Sequence, residues 1–136
     1  MTWQRRSVSG RDRARPRRDL PSWFPERVKL SPDEVVRLHS APAYTVLAIG
    51  SVPGFPCLAG LDGRLATPRL DVPRLRMAAG SVLIGGEQAG ILPVASPTGW
   101  HRLGWTPLTL FHPASDPPAT LRPGDRLRFV PIERPA

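Results

Sequence analysis

The side chains best suited to chemistry in this sequence are arginines that stand among prolines between residues 53 and 80. Arg69 and Arg74 each follow a proline, which fixes its own φ and holds the backbone around it extended. A guanidinium presents five N–H donors in a planar fork, so two such groups held in place predict an anion-binding site. Arg64 and Arg76 lie in the same stretch, and a solvated surface position is the more ordinary interpretation for them.

The glycine-rich run GGEQAG at residues 85–90 is a second candidate. It lacks the Lys-Ser/Thr pair of a phosphate-binding P-loop and precedes a predicted strand rather than a helix. We therefore interpret it as a tight hairpin turn. Gln88 within it has an amide that could bind a carboxylate, an amide or a phosphate.

The residue types that usually bind metals are few and poorly spaced. No metal-ligand pattern joins the three histidines and the single cysteine, so we expect no metal site: His39, His101, His112 and Cys57. One cysteine also excludes an internal disulfide.

No stretch approaches 18 continuous apolar residues and no apolar leader is present, so we expect a soluble, cytoplasmic protein with no membrane partner.

The composition indicates short strands rather than long helices. The 136 residues include 18 prolines and 12 glycines, which interrupt helices and mark turns. The net charge of +8 is concentrated at the start: residues 1–29 carry nine basic and three acidic side chains, and residues 30–136 carry ten and eight. We expect residues 1–29 to be a disordered arginine-rich tail. Nucleic-acid binding through this tail is disfavoured, because no domain presents it in a groove.

One helix and several strands are predicted after the tail. Ser31-Pro32-Asp33-Glu34 is a capping-box pattern that begins a short helix, which Ser40-Ala41-Pro42 ends. Residues 53–80 are expected to be irregular, and a long irregular stretch in a compact domain is usually functional. The mainly β pattern favours a small barrel or sandwich, with strands at Tyr44–Gly50, Ser81–Gly85, Gly90–Val94, His101–Trp105, Leu108–His112 and Arg126–Ile132.

The order of motifs from Leu30 to Ile132 resembles the C-terminal half of the 5-oxoprolinase B-subunit family, which includes the kinase inhibitor KipI and proteins named allophanate hydrolase subunit 1. The motifs that carry the resemblance are PGF at 53–55, RLATPR at 64–69, AGSV at 79–82, GEQAGI at 86–91 and SPTGW at 96–100. The resemblance implies a cyclophilin-like β-barrel for residues 30–136. It also implies a relation to the carboxyltransferase part of urea carboxylase.

The resemblance also implies a chemistry. In the family that the sequence resembles, the A, B and C subunits of 5-oxoprolinase together open 5-oxo-L-proline to L-glutamate with ATP. Phosphorylation of the lactam carbonyl oxygen would make the carbonyl carbon a better electrophile. Arginines suit both phosphate and substrate carboxylate. Arg69, Arg74 and Gln88 are the first candidates for substrate or nucleotide binding. Ser96, Thr98 and Trp100 come next, with turn formation as the alternative for their loop.

Structural roles are expected at the PGF loop and at one later glycine. We predict that Gly54 and Gly80 hold backbone conformations that other residues disfavour, and Pro53 and Phe55 belong to the same loop. The sequence departs from the family at four positions: Ser51 replaces an aromatic, Cys57 and Leu92 replace tyrosines, and Thr98 replaces a glycine. These changes are expected to reshape a pocket wall.

The resemblance leaves several functions open. The family has an α/β domain before the LSPDEVV helix, and here residues 1–29 resemble no part of it, which is typical of a mis-assigned or frame-shifted start or of a remnant gene. We expect a 5-oxoprolinase component that is inactive alone, binds first the C subunit, then the A subunit, and meets ATP only in the complex. The alternatives are a KipI-like inhibitor of a histidine kinase, a carboxyltransferase-related domain, and a non-functional truncated product.

Overall fold

The computed structural model describes residues 23–50 and 52–131. Within these ranges, helices α1 (Trp23–Val28) and α2 (Pro32–Ser40) precede the strands, and a 3₁₀ turn covers Gly63–Leu65. None of the helices described is long and apolar enough to cross a membrane. The prediction of a mainly β chain is confirmed by eight strands: β1 (Tyr44–Ile49), β2 (Pro56–Ala59), β3 (Arg74–Met77), β4 (Ser81–Gly85), β5 (Gln88–Ile91), β6 (Ser96–Thr98), β7 (His101–Trp105) and β8 (Arg126–Leu127).

The strands form two antiparallel sheets. Six strands pair in the order β7-β4-β5-β2-β1-β8, and β3 pairs with β6 in a separate two-stranded sheet. Strands β7 and β8 end the larger order, and the ladders of the described residues include no pairing between them that would close the barrel expected from the resemblance. The small sheet instead brings the arginine-rich stretch beside the SPTGW loop, with Arg74 opposite Thr98.

Helix α2 begins as its sequence predicts. The Ser31 side chain accepts a hydrogen bond from the backbone N–H of Glu34 at 3.2 Å, and the Glu34 carboxylate accepts one from the backbone N–H of Ser31 at 3.4 Å. This capping box satisfies two N–H groups that the first turn leaves without partners. Val35 and Leu38 are buried as expected, whereas Val36 is only half-buried and His39 takes its place in the interior.

The expectation of a tail without order through residue 29 is wrong for residues 23–28, and residues 1–22 lie outside the described ranges. Helix α1 occupies this segment because Phe24 is fully buried against α2 and strands β4 and β7. One aromatic anchor therefore outweighs the prolines and arginines around it. Lys29 follows the helix with φ +60°, the left-handed conformation in which many helices end.

The predicted strands differ from those observed where prolines intervene. Ser81–Gly85 and His101–Trp105 are confirmed at both ends, but Leu108–His112 is not a strand and Arg126–Ile132 contains only a two-residue one. Leu110 and Phe129 are nevertheless buried, so their segments contribute apolar side chains rather than ladders. The stretch expected to be irregular, 53–80, contains β2, β3 and the 3₁₀ turn.

Strand β4 is the centre of the molecule, because all five of its residues are buried. Val82, Leu83 and Ile84 each belong to a different apolar cluster. A strand covered on both faces carries a continuous apolar run instead of an alternating one. The cluster around Leu83 lies under the candidate site and contains Phe55, Met77 and Leu92.

Two glycines predicted to have special conformations do have them. Gly54 has φ +81° and Gly80 has φ +86°. A Cβ at Gly54 would lie 3.0 Å from the Phe111 Cβ, and one at Gly80 would lie 2.7 Å from the Trp105 Nε1. Both glycines therefore permit a left-handed turn and a close approach of neighbouring chain.

His39 is an ionisable group placed in the apolar interior. Its ring centroid lies 4.6 Å from that of Phe129 and 5.8 Å from that of Tyr44, and its Nε2 has no hydrogen-bond partner among the described residues. Burial disfavours the imidazolium and lowers the pKa of His39 from 6.5 to about 4. The folded chain therefore holds this histidine neutral at pH 7.

We predict that folding stability falls as the pH drops from 7 to 4.5. Between these values the unfolded His39 binds a proton that the folded one does not, so stability rises with pH across this window. The difference amounts to about 2–3 kcal/mol at pH 4.5. Urea unfolding of the wild type and His39→Leu at both pH values measures it, and the leucine variant should lose that part of the pH dependence.

The matched control is His112→Leu, because His112 is exposed. The folding stability of the His112→Leu variant should depend on pH as that of the wild type does. The Asp62 carboxylate contributes little, since hydrogen bonds from Arg64 lower the pKa of Asp62 from 3.8 to about 2, and both values lie below the window measured. An undiminished pH dependence in His39→Leu would assign the effect to other groups.

Candidate functional site

A cleft of about 190 Å³ lies between the end of the PGF loop, the β4–β5 hairpin and the SPTGW loop. It brings together five of the six binding candidates, and Arg74 is absent from its lining. The lining residues are Val52, Phe55, Cys57, Arg69, Gln88, Leu92, Ser96, Pro97, Thr98 and Trp100. A mostly apolar pocket with a few convergent polar groups is the usual form of a small-molecule site.

The apolar wall of the cleft depends on two glycines of the hairpin. A Cβ at Gly90 would lie 2.8 Å from the Phe55 Cζ, and one at Gly85 would lie 2.5 Å from the Trp100 Cε2. Both rings therefore lie directly against bare backbone. They also contact each other edge to face, with centroids 5.2 Å apart and an interplanar angle of 78°, a favourable arrangement for aromatic pairs.

The hairpin itself has the tight turn predicted from the glycine-rich run. Gly85 pairs with Gln88 across it, so Gly86 and Glu87 form a two-residue loop. Gly86 has φ +60° and Glu87 does not have a positive φ, which is the pattern of a type II′ turn. This turn places Gln88 at the beginning of β5, where its half-buried side chain lines the cleft.

Hydrogen bonds on both sides of Arg69 hold its backbone in place. The Thr67 N–H donates to the Gly86 carbonyl at 3.0 Å, and the Thr67 carbonyl accepts from the Gly86 N–H at 2.8 Å. His101 Nε2 donates to the carbonyl of Pro68 at 2.7 Å. The N–H of the residue after Arg69 donates to the Gly99 carbonyl at 2.8 Å. The guanidinium therefore extends from a backbone that these hydrogen bonds hold in place.

The SPTGW loop combines a turn with a binding surface. The Thr98 Oγ1 accepts a hydrogen bond from the Trp100 N–H at 3.1 Å, which shapes the turn. Thr98 has no positive φ, so the threonine costs none of the strain that a left-handed turn would impose. The Ser96 Oγ is buried and has no hydrogen-bond partner among the described residues. A buried hydroxyl without a protein partner is uncommon, so the Ser96 hydroxyl has capacity for one further hydrogen bond in the cleft.

The positions that depart from the family pattern converge on this cleft. Cys57, Leu92 and Thr98 all line it, whereas Ser51 lies outside the described residues. Cys57 is half-buried and carries a free thiol. Each of the first two side chains is smaller than the tyrosine that the resemblance would place there, and a reshaped wall stays a prediction.

Sequence reasoning missed the parts that shape the cleft. From the sequence, Gly85 and Gly90 are expected only in a tight turn and at the ends of its two flanking strands, and Phe55 only in a loop. A glycine inside a predicted strand can mark the close approach of another group, and this was the available signal. Among the described residues, no group of three or more histidine, cysteine or acidic side chains is placed to hold a metal ion.

The chain matches a family model, and it resembles several known proteins. The model of the carboxyltransferase domain, subdomain C and D, matches residues 19–121. The 5-oxoprolinase B subunit of Escherichia coli O157:H7 is 54% identical over 102 residues, which are 75% of this chain and 47% of that protein. The chain spans about half the length of the curated relatives it matches.

Solved structures agree with this assignment. The conserved uncharacterized protein PH0987 from Pyrococcus horikoshii aligns with a TM-score of 0.79 at 41% identity, covering 95% of this chain and 57% of that one. The K. lactis urea amidolyase aligns with a TM-score of 0.68 at 27% identity, covering 82% of this chain and 7% of that one. The resemblance found in the motifs is confirmed, and so is a mainly β fold shared with these carboxyltransferase-type structures, whereas closure of the barrel stays a prediction.

We predict that Gly90→Ala destabilises the chain by about 2 kcal/mol, because the methyl group displaces the Phe55 ring. In a Phe55→Ala background the same substitution should cost less than about 1 kcal/mol, since most of the collision is gone. Urea unfolding of the four proteins in this cycle measures the coupling. Equal costs in both backgrounds would show that Phe55 does not lie on Gly90. Gly63→Ala, where the structure has open space, is the control.

Proposed function

This chain belongs to the family of carboxyltransferase domains, subdomains C and D, and we propose that it is a component of an ATP-dependent 5-oxoprolinase complex that converts 5-oxo-L-proline to L-glutamate. The observation that carries the proposal is the cleft that places Arg69, Gln88 and Ser96 around an aromatic wall. Relatives that are 45–54% identical and named as B subunits of 5-oxoprolinase support the same assignment.

The cleft suits a small ring that bears a carboxylate and an amide. The Arg69 guanidinium provides the positive charge that a carboxylate requires. The Gln88 amide both donates and accepts, and so complements a lactam, and the Ser96 hydroxyl supplies a further polar contact. Phe55, Trp100 and Leu92 provide apolar surface for ring methylenes. A five-membered lactam with one carboxylate combines these features.

The cleft provides binding rather than a complete reaction. None of the described lining residues is a carboxylate or a histidine, the side chains that most often act as a general base. Opening the lactam requires its carbonyl to be activated, and phosphorylation by ATP would do this. We therefore assign substrate binding to this chain and the remaining chemistry to partner subunits, so that the chain alone is inactive.

A partner surface is available at β3 of the two-stranded sheet and in the bend that precedes it. Val72 is 80% exposed and Leu75 is 91% exposed, although both are apolar. Single exposed apolar residues are ordinary, but these two stand close together in the chain beside β6, which lines the cleft. We propose that this surface docks the C subunit of the enzyme and that its A subunit joins the pair afterwards. A protein seated there would lie next to the bound substrate.

We predict that Arg69→Ala and Gln88→Leu each lower kcat/KM of a reconstituted complex at least about tenfold, because each removes a contact to a charged or amide group. The assay measures glutamate formed from 5-oxo-L-proline and ATP. Both variants should retain the wild-type urea unfolding midpoint. Arg126→Ala, an exposed arginine on β8, is the charge-matched control. Unchanged rates in both cleft variants would remove this cleft from the reaction.

We also predict that Leu75→Asp lowers, at least about tenfold, the affinity for the matching C subunit, since the introduced carboxylate would be buried without a partner in the interface. A pull-down from purified proteins measures this effect. Leu47→Asp is the control, since Leu47 is 55% exposed on β1, in the other sheet. Equal capture by Leu75→Asp and the wild type would move the interface elsewhere.

A further inference from the structure

A second hollow of about 400 Å³ lies beside the cleft, and Arg69 lines both. Its other lining residues come from helix α1, from the loop before β3 and from the start of β7. They are Arg27, Thr67, Pro68, Leu70, Asp71 and His101. Two guanidinium groups thus face one concave surface, and Arg27 was not among the residues nominated from the sequence.

Both guanidinium groups are available for a ligand. Neither the Arg27 nor the Arg69 guanidinium makes a hydrogen bond or an ion pair with any side chain or backbone group that the structure describes. Arg64 shows the contrast, since its guanidinium binds both oxygens of Asp62 at 3.0 and 2.9 Å. Asp71 contributes one negative charge to the rim, which leaves the hollow with an excess of positive charge.

The backbones that carry the two arginines are fixed. Phe24 is fully buried and its ring lies 6.4 Å from the ring of His101, so it holds helix α1 against the start of β7. Arg27 follows three residues later, about one helical turn along. Arg69 is held by the hydrogen bonds of Thr67, Pro68 and Leu70 described above. Less conformational entropy is therefore lost when a ligand binds between them.

We propose that this hollow binds a phosphate group through Arg27 and Arg69. A phosphate at neutral pH carries up to two negative charges and several acceptor oxygens, which two planar guanidinium forks complement. Arg69 has five N–H donors, enough to contact a carboxylate in the cleft and a phosphate in the hollow. The source of the phosphate, a nucleotide or a phosphorylated lactam, rests on the proposed function; the binding of the anion does not.

Titration of the full chain with inorganic pyrophosphate, followed by calorimetry at low salt, tests the site. We expect Arg27→Gln and Arg69→Gln each to weaken binding at least about tenfold, and Arg27→Lys to recover most of the loss. Arg37→Gln is the matched control, because Arg37 is exposed on helix α2 and lines neither cavity. Its affinity should stay within about twofold of the wild type. The arginines before residue 23 are common to all variants, so their contribution cancels.

Two results would overturn the proposal. One is a loss of affinity in Arg27→Gln no greater than in Arg37→Gln, which would reduce the effect to general charge. The other is a wild-type chain that does not bind pyrophosphate at millimolar concentration. A non-hydrolysable ATP analogue that binds tighter than pyrophosphate, in an Arg27-dependent way, supports the site with a nucleotide as its source. Equal affinities support the site and assign the binding to the phosphate groups, with no contribution from a nucleoside.

The same measurements separate this proposal from the function proposed above. Pyrophosphate binding needs no lactam and no partner protein. Suppose that pyrophosphate binding depends on Arg27 but that the cleft variants leave 5-oxoprolinase activity unchanged. The proposed function would then be wrong and the anion site would stand. If Gln88→Leu lowers the activity as predicted but Arg27→Gln does not weaken pyrophosphate binding, the anion site would be wrong and the proposed function would stand.

Discussion

The close approach of two aromatic rings to the backbone of the β4–β5 hairpin is the constraint on which the rest of the site depends. Phe55 and Trp100 lie where Gly90 and Gly85 have no side chains, and each ring brings its own segment with it. Phe55 carries the PGF loop, which Gly54 bends with a positive φ. Trp100 carries the SPTGW loop and with it the hydroxyls of that loop. The cleft exists because two separate segments meet on one hairpin.

The same hairpin also fixes the charge of the site. Its turn residue Gly86 exchanges two hydrogen bonds with Thr67, and the next residues of that segment are Pro68 and Arg69. Arg69 is therefore held in place by the hydrogen bonds that its segment makes to the hairpin, and not by contacts of its own exposed side chain. This arrangement allows a long, rotamer-rich side chain to serve two neighbouring cavities without a buried ion pair, whose desolvation would oppose folding.

Much of the local structure could be predicted because it is determined over a few residues. The capping box before α2 and the two-residue turn at residues 86–87 depend on side chains within four positions of one another, and both were found from the sequence. Strands β2, β3 and β6 could not be found in the same way. Two of them contain a proline and the third directly follows one, so local propensity argues against each, and distant partners determine their pairing.

The candidate site shows the same contrast between what a local motif predicts and what tertiary contacts decide. Arg69, Gln88, Ser96, Thr98 and Trp100 were nominated from motifs, and the fold gathers them in one cleft. Arg74 was nominated on the same reasoning as Arg69, but it sits on β3 and lines neither cavity. The difference is tertiary: hydrogen bonds anchor the backbone beside Arg69 to the hairpin, whereas Arg74 pairs with Thr98 in the small sheet.

Arg27 shows the limit of such reasoning most clearly. It lies in a segment whose arginines and prolines predict no order, and only the burial of Phe24 gives it a fixed place. A buried aromatic ring can be recognised from sequence only when its neighbours repeat the same face, and a six-residue helix has no room for that repeat. The positive charge of the hollow is thus set by a packing contact about one turn earlier on the same helix. Electrostatics at this surface follows from the core beneath it.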